Sequence, residues 1–184
     1  TAPGSILSTV PMSDDGLGCD AMAGDGIYSG AIPGQPDGKL LAFRVEAADN
    51  SALPATTQFP SEAPRRECLV RVGESLPSGA FGAYRLWLTK ANGDYWAARE
   101  KMSNEDVDMT FVYGAHRVVY NVGAHYSGSS YTIGCYNSPV GSLCGYDLNF
   151  PSDDAPLGDT HFPLDFLIRD DTGQREQLQY WLLD

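Results

Sequence analysis

The sequence has no apolar run near the roughly twenty residues that a membrane-spanning helix needs, which excludes such a span from this segment. It also lacks a basic-then-apolar leader at its start. Basic residues are scarce, with 12 Lys plus Arg against 24 Asp plus Glu and a formal net charge of -12. A field of that sign repels phosphate backbones and argues against nucleic acid as a partner. There are 4 cysteines and none forms a CxxC pair, so a zinc ribbon has no support. No GxSxG elbow is present, and His116, His125 and His161 show no metal-like spacing in the sequence. Internal repeats and low-complexity tracts are absent as well.

What is present points to a β-rich chain. Hydrophobic residues make up 42% and aromatics 11%, enough for a packed core, while 20 Gly and 12 Pro are scattered without a period. That spread suits short strands joined by turns and predicts a mainly β fold with a few helices, of the α+β class. The 184 residues suffice for one ordinary domain or two small ones. The first residue is Thr1 rather than Met, and the apolar stripe of the last helical stretch has no later element to cover it. Both features lead us to expect a segment of a longer protein.

Along the chain, Ser5 to Val10 is β-compatible and ends at Pro11. Ser13 to Gly30 is a turn-dense acidic loop, and Ile27 to Ile32 reads as a short strand closed by Pro33-Gly34. Lys39 to Ala47 alternates, with Leu41, Phe43, Val45 and Ala47 on one face. Thr56 to Phe59 and Cys68 to Val72 are further strands. Together these resemble the later strands of an Ig-like or fibronectin-type sandwich, a fold that needs about seven. A linker from Gly73 to Gly79 divides residues 1–73, a partial sandwich, from residues 74–184. In the second unit Tyr84 to Leu88 is a strand with Tyr84, Leu86 and Leu88 facing one way. Thr89 caps a helix from about Lys90 to Lys101. Met109 to Tyr113 and Arg117 to Ala124 form a hairpin about Gly114-Ala115-His116. Gly145 to Phe150 is a strand, 151–163 a polar loop, and Asp171 to Leu183 a helix with Leu178, Trp181 and Leu182 on one stripe.

Three groupings could carry chemistry. Asp14, Asp15, Asp20 and Asp25 sit in a glycine-bent loop that could supply calcium with oxygen ligands, outside the EF-hand register. The same residues could instead make local Asx turns. Gly128, Ser129 and Ser130 could cradle a phosphate through backbone N–H groups, or form a plain turn. Cys135 and Cys144 bracket a loop they could bridge, as expected in an exported protein; the alternative is two free thiols. A pairing of Cys19 with Cys68 has nothing local to set its geometry.

The run YRLWLTKANGDYWAAREKMSNEDVDMTFVYGAHRVVYNVGAHYSGSSY, together with RDDTGQREQLQYWLL, resembles the opening of the CotH (spore-coat protein H) kinase family. The preceding DDGLGCDAMAGDGIYSGAIPGQPDGKLLAFRVEAADN resembles the Ig-like module of large secreted bacterial proteins. The resemblance implies a partial kinase-like N-lobe in residues 74–184. It further implies a parent in the extracellular space or cell envelope that binds ATP with Mg or Mn and phosphorylates a protein or cell-surface component. It puts His125, Gly128, Ser129, Ser130 and Glu176 near the nucleotide, with Glu176 as the helix glutamate that holds a strand lysine. Two positions depart from the family: His125 stands where Arg is usual, and GYDLNF lacks the strand Lys. No catalytic residue falls within the chain, so this segment alone is expected not to turn over ATP. A second reading is a non-catalytic extracellular adhesion or carbohydrate-contact module, with Trp87, Tyr95, Trp96 and Tyr131 as sugar-stacking candidates.

Overall fold

The computed structural model describes residues 8–75, 83–99, 103–115, 117–127 and 145–164. Among them the chain is mainly β, with nine strands and one α-helix. The helical stretch at 171–183, the turn at 128–130 and the Cys135–Cys144 pair lie outside the described residues.

The N-terminal part holds four short strands, β1 (Leu40–Phe43), β2 (Val45–Ala48), β3 (Thr56–Phe59) and β4 (Cys68–Arg71). They form two antiparallel pairs, β1 with β4 and β2 with β3. The single strand expected over Lys39–Ala47 is therefore broken at Arg44, where the chain changes partners. Leu41, Phe43 and Val45 are half-buried as expected, but Ala47 is exposed. The strand expected over Ile27–Ile32 does not form. Only an isolated bridge, Ser13 to Ser29, marks it, and Ile27, Tyr28 and Ile32 are exposed at 65%, 61% and 49%. A β-propensity run without a partner strand has no ladder to join.

The C-terminal part is a five-stranded antiparallel meander. Its strands are β5 (Tyr84–Trp87), β6 (Val107–Tyr113), β7 (Arg117–Ser127), β8 (Gly145–Asn149) and β9 (His161–Leu164), paired in that order. Helix α1 (Lys90–Ala98) lies between β5 and β6. Thr89 caps it, its hydroxyl accepting from the Asn92 N–H at 3.1 Å. The Asn92 amide in turn donates to the Asp108 carbonyl at 3.0 Å and ties the helix to β6. The helix is shorter than expected because Arg99 is already extended. Its guanidinium donates to the Glu105 carbonyl and sits 5.7 Å from the centre of the Trp96 ring. The tail of the segment expected as loop is strand β9. Pro163 is tolerated there because, among the described residues, β9 is an edge strand paired on one side only.

Strand alternation sorts the sheet into two faces. Val107, Met109, Phe111, Val119, Val122, Ala124 and Leu148 turn inward and pack with Trp96, Tyr126 and Phe150. Phe111 stands edge-on to Phe150 at 5.1 Å between ring centres. Between Met109 and Phe111 the register slips by one residue against β7, and Asn121 takes a φ of 59° to absorb it. Asn is among the few side chains that enter the left-handed region readily.

The outward face of β6 is also covered. Asp108 and Thr110, two residues apart, accept hydrogen bonds from the Glu67 and Leu69 backbone N–H groups, each at 3.0 Å. Arg66 donates to the Asn121 side-chain oxygen at 3.0 Å and to its carbonyl at 3.3 Å, clamping the bulge. Burial of Asp108 pushes its carboxyl up to about 6, partly offset by the hydrogen bond from the Glu67 N–H. Its Oδ1 has no hydrogen-bond partner among the described residues. Burial likewise pushes the Cys68 thiol up to about 12, with the Asp108 charge adding to the effect.

Candidate functional site

Beyond this junction the outward face of the sheet becomes a polar row. His125 on β7 is the register partner of Asp147 on β8, and Asn149 is the partner of both Gly123 on β7 and His161 on β9. Asp147 and Asn149 alternate with the inward residues Tyr146 and Leu148, so strand period alone puts both polar groups on one face.

Asp106, just ahead of β6, completes the row. Its Oδ1 lies 2.9 Å from His125 Nδ1, and both its oxygens accept from Asn149 Nδ2 at 3.1 Å. Room for this carboxylate exists because residue 123 is glycine. A Cβ there would stand 2.4 Å from Asp106 Oδ2. His125 Nε2 faces Asp147 Oδ2 at 3.7 Å, and His161 Nε2 faces Asp147 Oδ1 at 3.4 Å. Among the described residues no Lys or Arg pairs with Asp106 or Asp147. The row thus runs acid, imidazole, acid, imidazole, with His125 its most buried member and His161, on β9, its most exposed.

The acidic loop is the second grouping. Asp14 is its hub: its oxygens accept from the N–H groups of Gly24, Asp25 and Gly26 at 2.6, 3.2 and 2.9 Å. Asp20, buried, accepts from Gly16 at 2.5 Å and Met22 at 3.4 Å. Gly16, Gly18, Gly24 and Gly26 all have positive φ, which lets the backbone fold around the carboxylates. One oxygen each of Asp14, Asp20 and Asp25 lies within 4.8 Å of the others. Asp15 stands outside this group and caps the Leu17 N–H at 3.0 Å. None of the ion pairs among the described residues involves any of the four. The Asx turns and the converging carboxylates, which the sequence offers as alternatives, coexist in one loop.

The other sequence candidates divide. His125 enters a built network, while Gly128, Ser129, Ser130 and Glu176 lie outside the described residues. Cys19 is exposed and Cys68 buried, and both are free thiols, so they do not form a bridge. Trp96 is only 2% exposed and belongs to the core; Trp87 is half-buried, and Tyr95 is the exposed aromatic on α1. Reading the histidines by spacing missed the convergence of His125 and His161 on Asp147. The available signal was the alternating Asp147 and Asn149 in GYDLN. No family model, curated protein or solved structure matches the chain.

Proposed function

We propose that the chain belongs to an exported CotH-like protein, with residues 74–184 contributing to a kinase-related, nucleotide-binding unit and residues 1–73 to an Ig-like module beside it. The observation that carries this reading is the element order of the second part. A strand, a capped helix and the β6–β7 hairpin precede β8, in the order on which the resemblance rests. In this reading the parent binds ATP with Mg or Mn. The segment alone does not transfer phosphate, because β8, GYDLN, brings no lysine for Glu176. Carboxylates flank both nitrogens of His125, so a phosphate reaches that ring most readily in company with its divalent ion. Titrating the intact protein with ATP and Mg or Mn tests the reading. Saturable binding that is lost on Glu176→Ala supports it, and a folded protein that binds no ATP removes it.

A second reading is favoured by the acidic loop: a non-catalytic extracellular module in which Asp14, Asp20 and Asp25 hold calcium. Three carboxylates with no cationic partner among the described residues form a hard, oxygen-rich group of the kind calcium completes with carbonyls and water. An ion bound only by the folded loop stabilises it by about 2.7 kcal/mol at a hundredfold excess over Kd. Calcium should therefore raise the unfolding temperature of the wild type and of Asp15→Asn, but not of Asp14→Asn or Asp20→Asn. Equal responses in all four proteins would discard the site.

A further inference from the structure

Two imidazoles on different strands direct their ε nitrogens at one carboxylate. His125 Nε2 approaches Asp147 Oδ2 at 3.7 Å and His161 Nε2 approaches Asp147 Oδ1 at 3.4 Å. The ring of His125 is fixed from behind. Its Nδ1 lies 2.9 Å from Asp106 Oδ1, and a carboxylate there selects the tautomer with the proton on Nδ1. Nε2 then faces Asp147 Oδ2, and either a proton or a metal ion between the two satisfies both groups. Asp106 is itself held by Asn149 Nδ2, in space that the missing Cβ of Gly123 leaves open.

We propose that this face binds a divalent transition-metal ion through His125 Nε2, the Asp147 carboxylate and His161 Nε2, with Asp106 as the carboxylate that orients His125. The support behind His125 is the arrangement that ligating histidines use, one ring nitrogen on the metal and the other donating to a carboxylate that is itself hydrogen-bonded. Two imidazoles and one carboxylate suit zinc and its neighbours, whereas calcium takes oxygen alone, so this site differs in chemistry from the acidic loop. Three protein ligands leave a coordination position for water or a substrate oxygen. The side chains grade outward, 14% exposed at His125, 23% at Asp147 and 54% at His161, which gives an ion a route in from the edge strand. The donors are splayed about Asp147, so binding requires the ring of His161 to swing inward; its exposure leaves it free to do so. The inference is independent of the nucleotide reading.

The test is zinc titration of the full chain by calorimetry in a Cys19→Ser, Asp14→Asn, Asp20→Asn background, which silences the Cys19 thiol and the loop. We expect one zinc equivalent that His161→Ala and Asp147→Asn abolish. Asp106→Asn should weaken binding roughly 10–100-fold. Cobalt in place of zinc should give a visible d–d spectrum that disappears in His161→Ala. Because His161 is half-exposed on an edge strand, that variant keeps the fold, which circular dichroism verifies. Zinc uptake unchanged by His161→Ala, or no uptake by the folded parent background, overturns the proposal and leaves an ion-pair row.

Discussion

A Cβ at residue 123 would lie 2.4 Å from Asp106 Oδ2, so the Asp106 carboxylate and any side chain at Gly123 exclude each other. Gly123→Ala should expel the carboxylate from its hydrogen bonds with Asn149 and His125, at a cost of about 1–3 kcal/mol in urea unfolding. In an Asp106→Ala background the same substitution should cost less, since the clash has gone. Equal costs in both backgrounds would show that the two residues are uncoupled.

Asp108 gives the junction a pH dependence of defined sign. Its carboxyl, raised to about 6 in the folded protein, holds its proton more tightly there than in the unfolded chain. The stabilising contribution of the protonated form is full below about 4 and is lost as pH rises through about 6. Asp108→Asn keeps an acceptor for the Glu67 N–H and removes the buried charge. It should stabilise the protein at pH 7.5 by on the order of 1–3 kcal/mol and lose that advantage at pH 4. Parallel unfolding curves for the two proteins across this range would contradict the assignment.

Asn121 should distinguish backbone from side-chain effects. With φ at 59°, Asn121→Gly retains the bulge and gives up only the side-chain bond to Arg66, about 1 kcal/mol. Asn121→Val places a β-branched residue in left-handed backbone and should cost clearly more, about 2–3 kcal/mol. Thermal denaturation orders the three proteins.

The thiols of Cys19 and Cys68 should react on different timescales. Cys19 is exposed, while burial and the Asp108 charge keep Cys68 protonated at neutral pH, its thiol pushed up to about 12. Iodoacetamide followed by peptide mapping should label Cys19 in the native protein and Cys68 only on unfolding. Rapid native labelling of Cys68 would show that the junction opens.

Local chemistry made part of this fold legible. Thr89 announces α1, and the alternating runs on either side of Gly114 announce β6 and β7. Partner choice was not legible, because the same alternation serves β1 and β2 although they join different sheets. Pro163 hid β9 for a related reason: only its position at the sheet edge makes a proline acceptable. The acidic loop was readable from clustered Asp and Gly, but not which carboxylates converge; Asp15 is chemically identical to Asp14 and points elsewhere. The His125–Asp147–His161 row depends on register across three strands, information that no short stretch contains. Its local traces were the alternating Asp147 and Asn149 in GYDLN and the glycine within the apolar run VVYNVGAHY.

Strand β4 has β1 on one side, and on the other the amides of Glu67, just ahead of it, and Leu69 end on the side chains of Asp108 and Thr110. An open row of strand amides is a template on which a second molecule can add. Here two of those amides end on side chains, which offer no further ladder to extend. The contact that joins the two parts of the chain therefore also guards against edge-to-edge self-association, and weakening it would favour aggregation as well as separation.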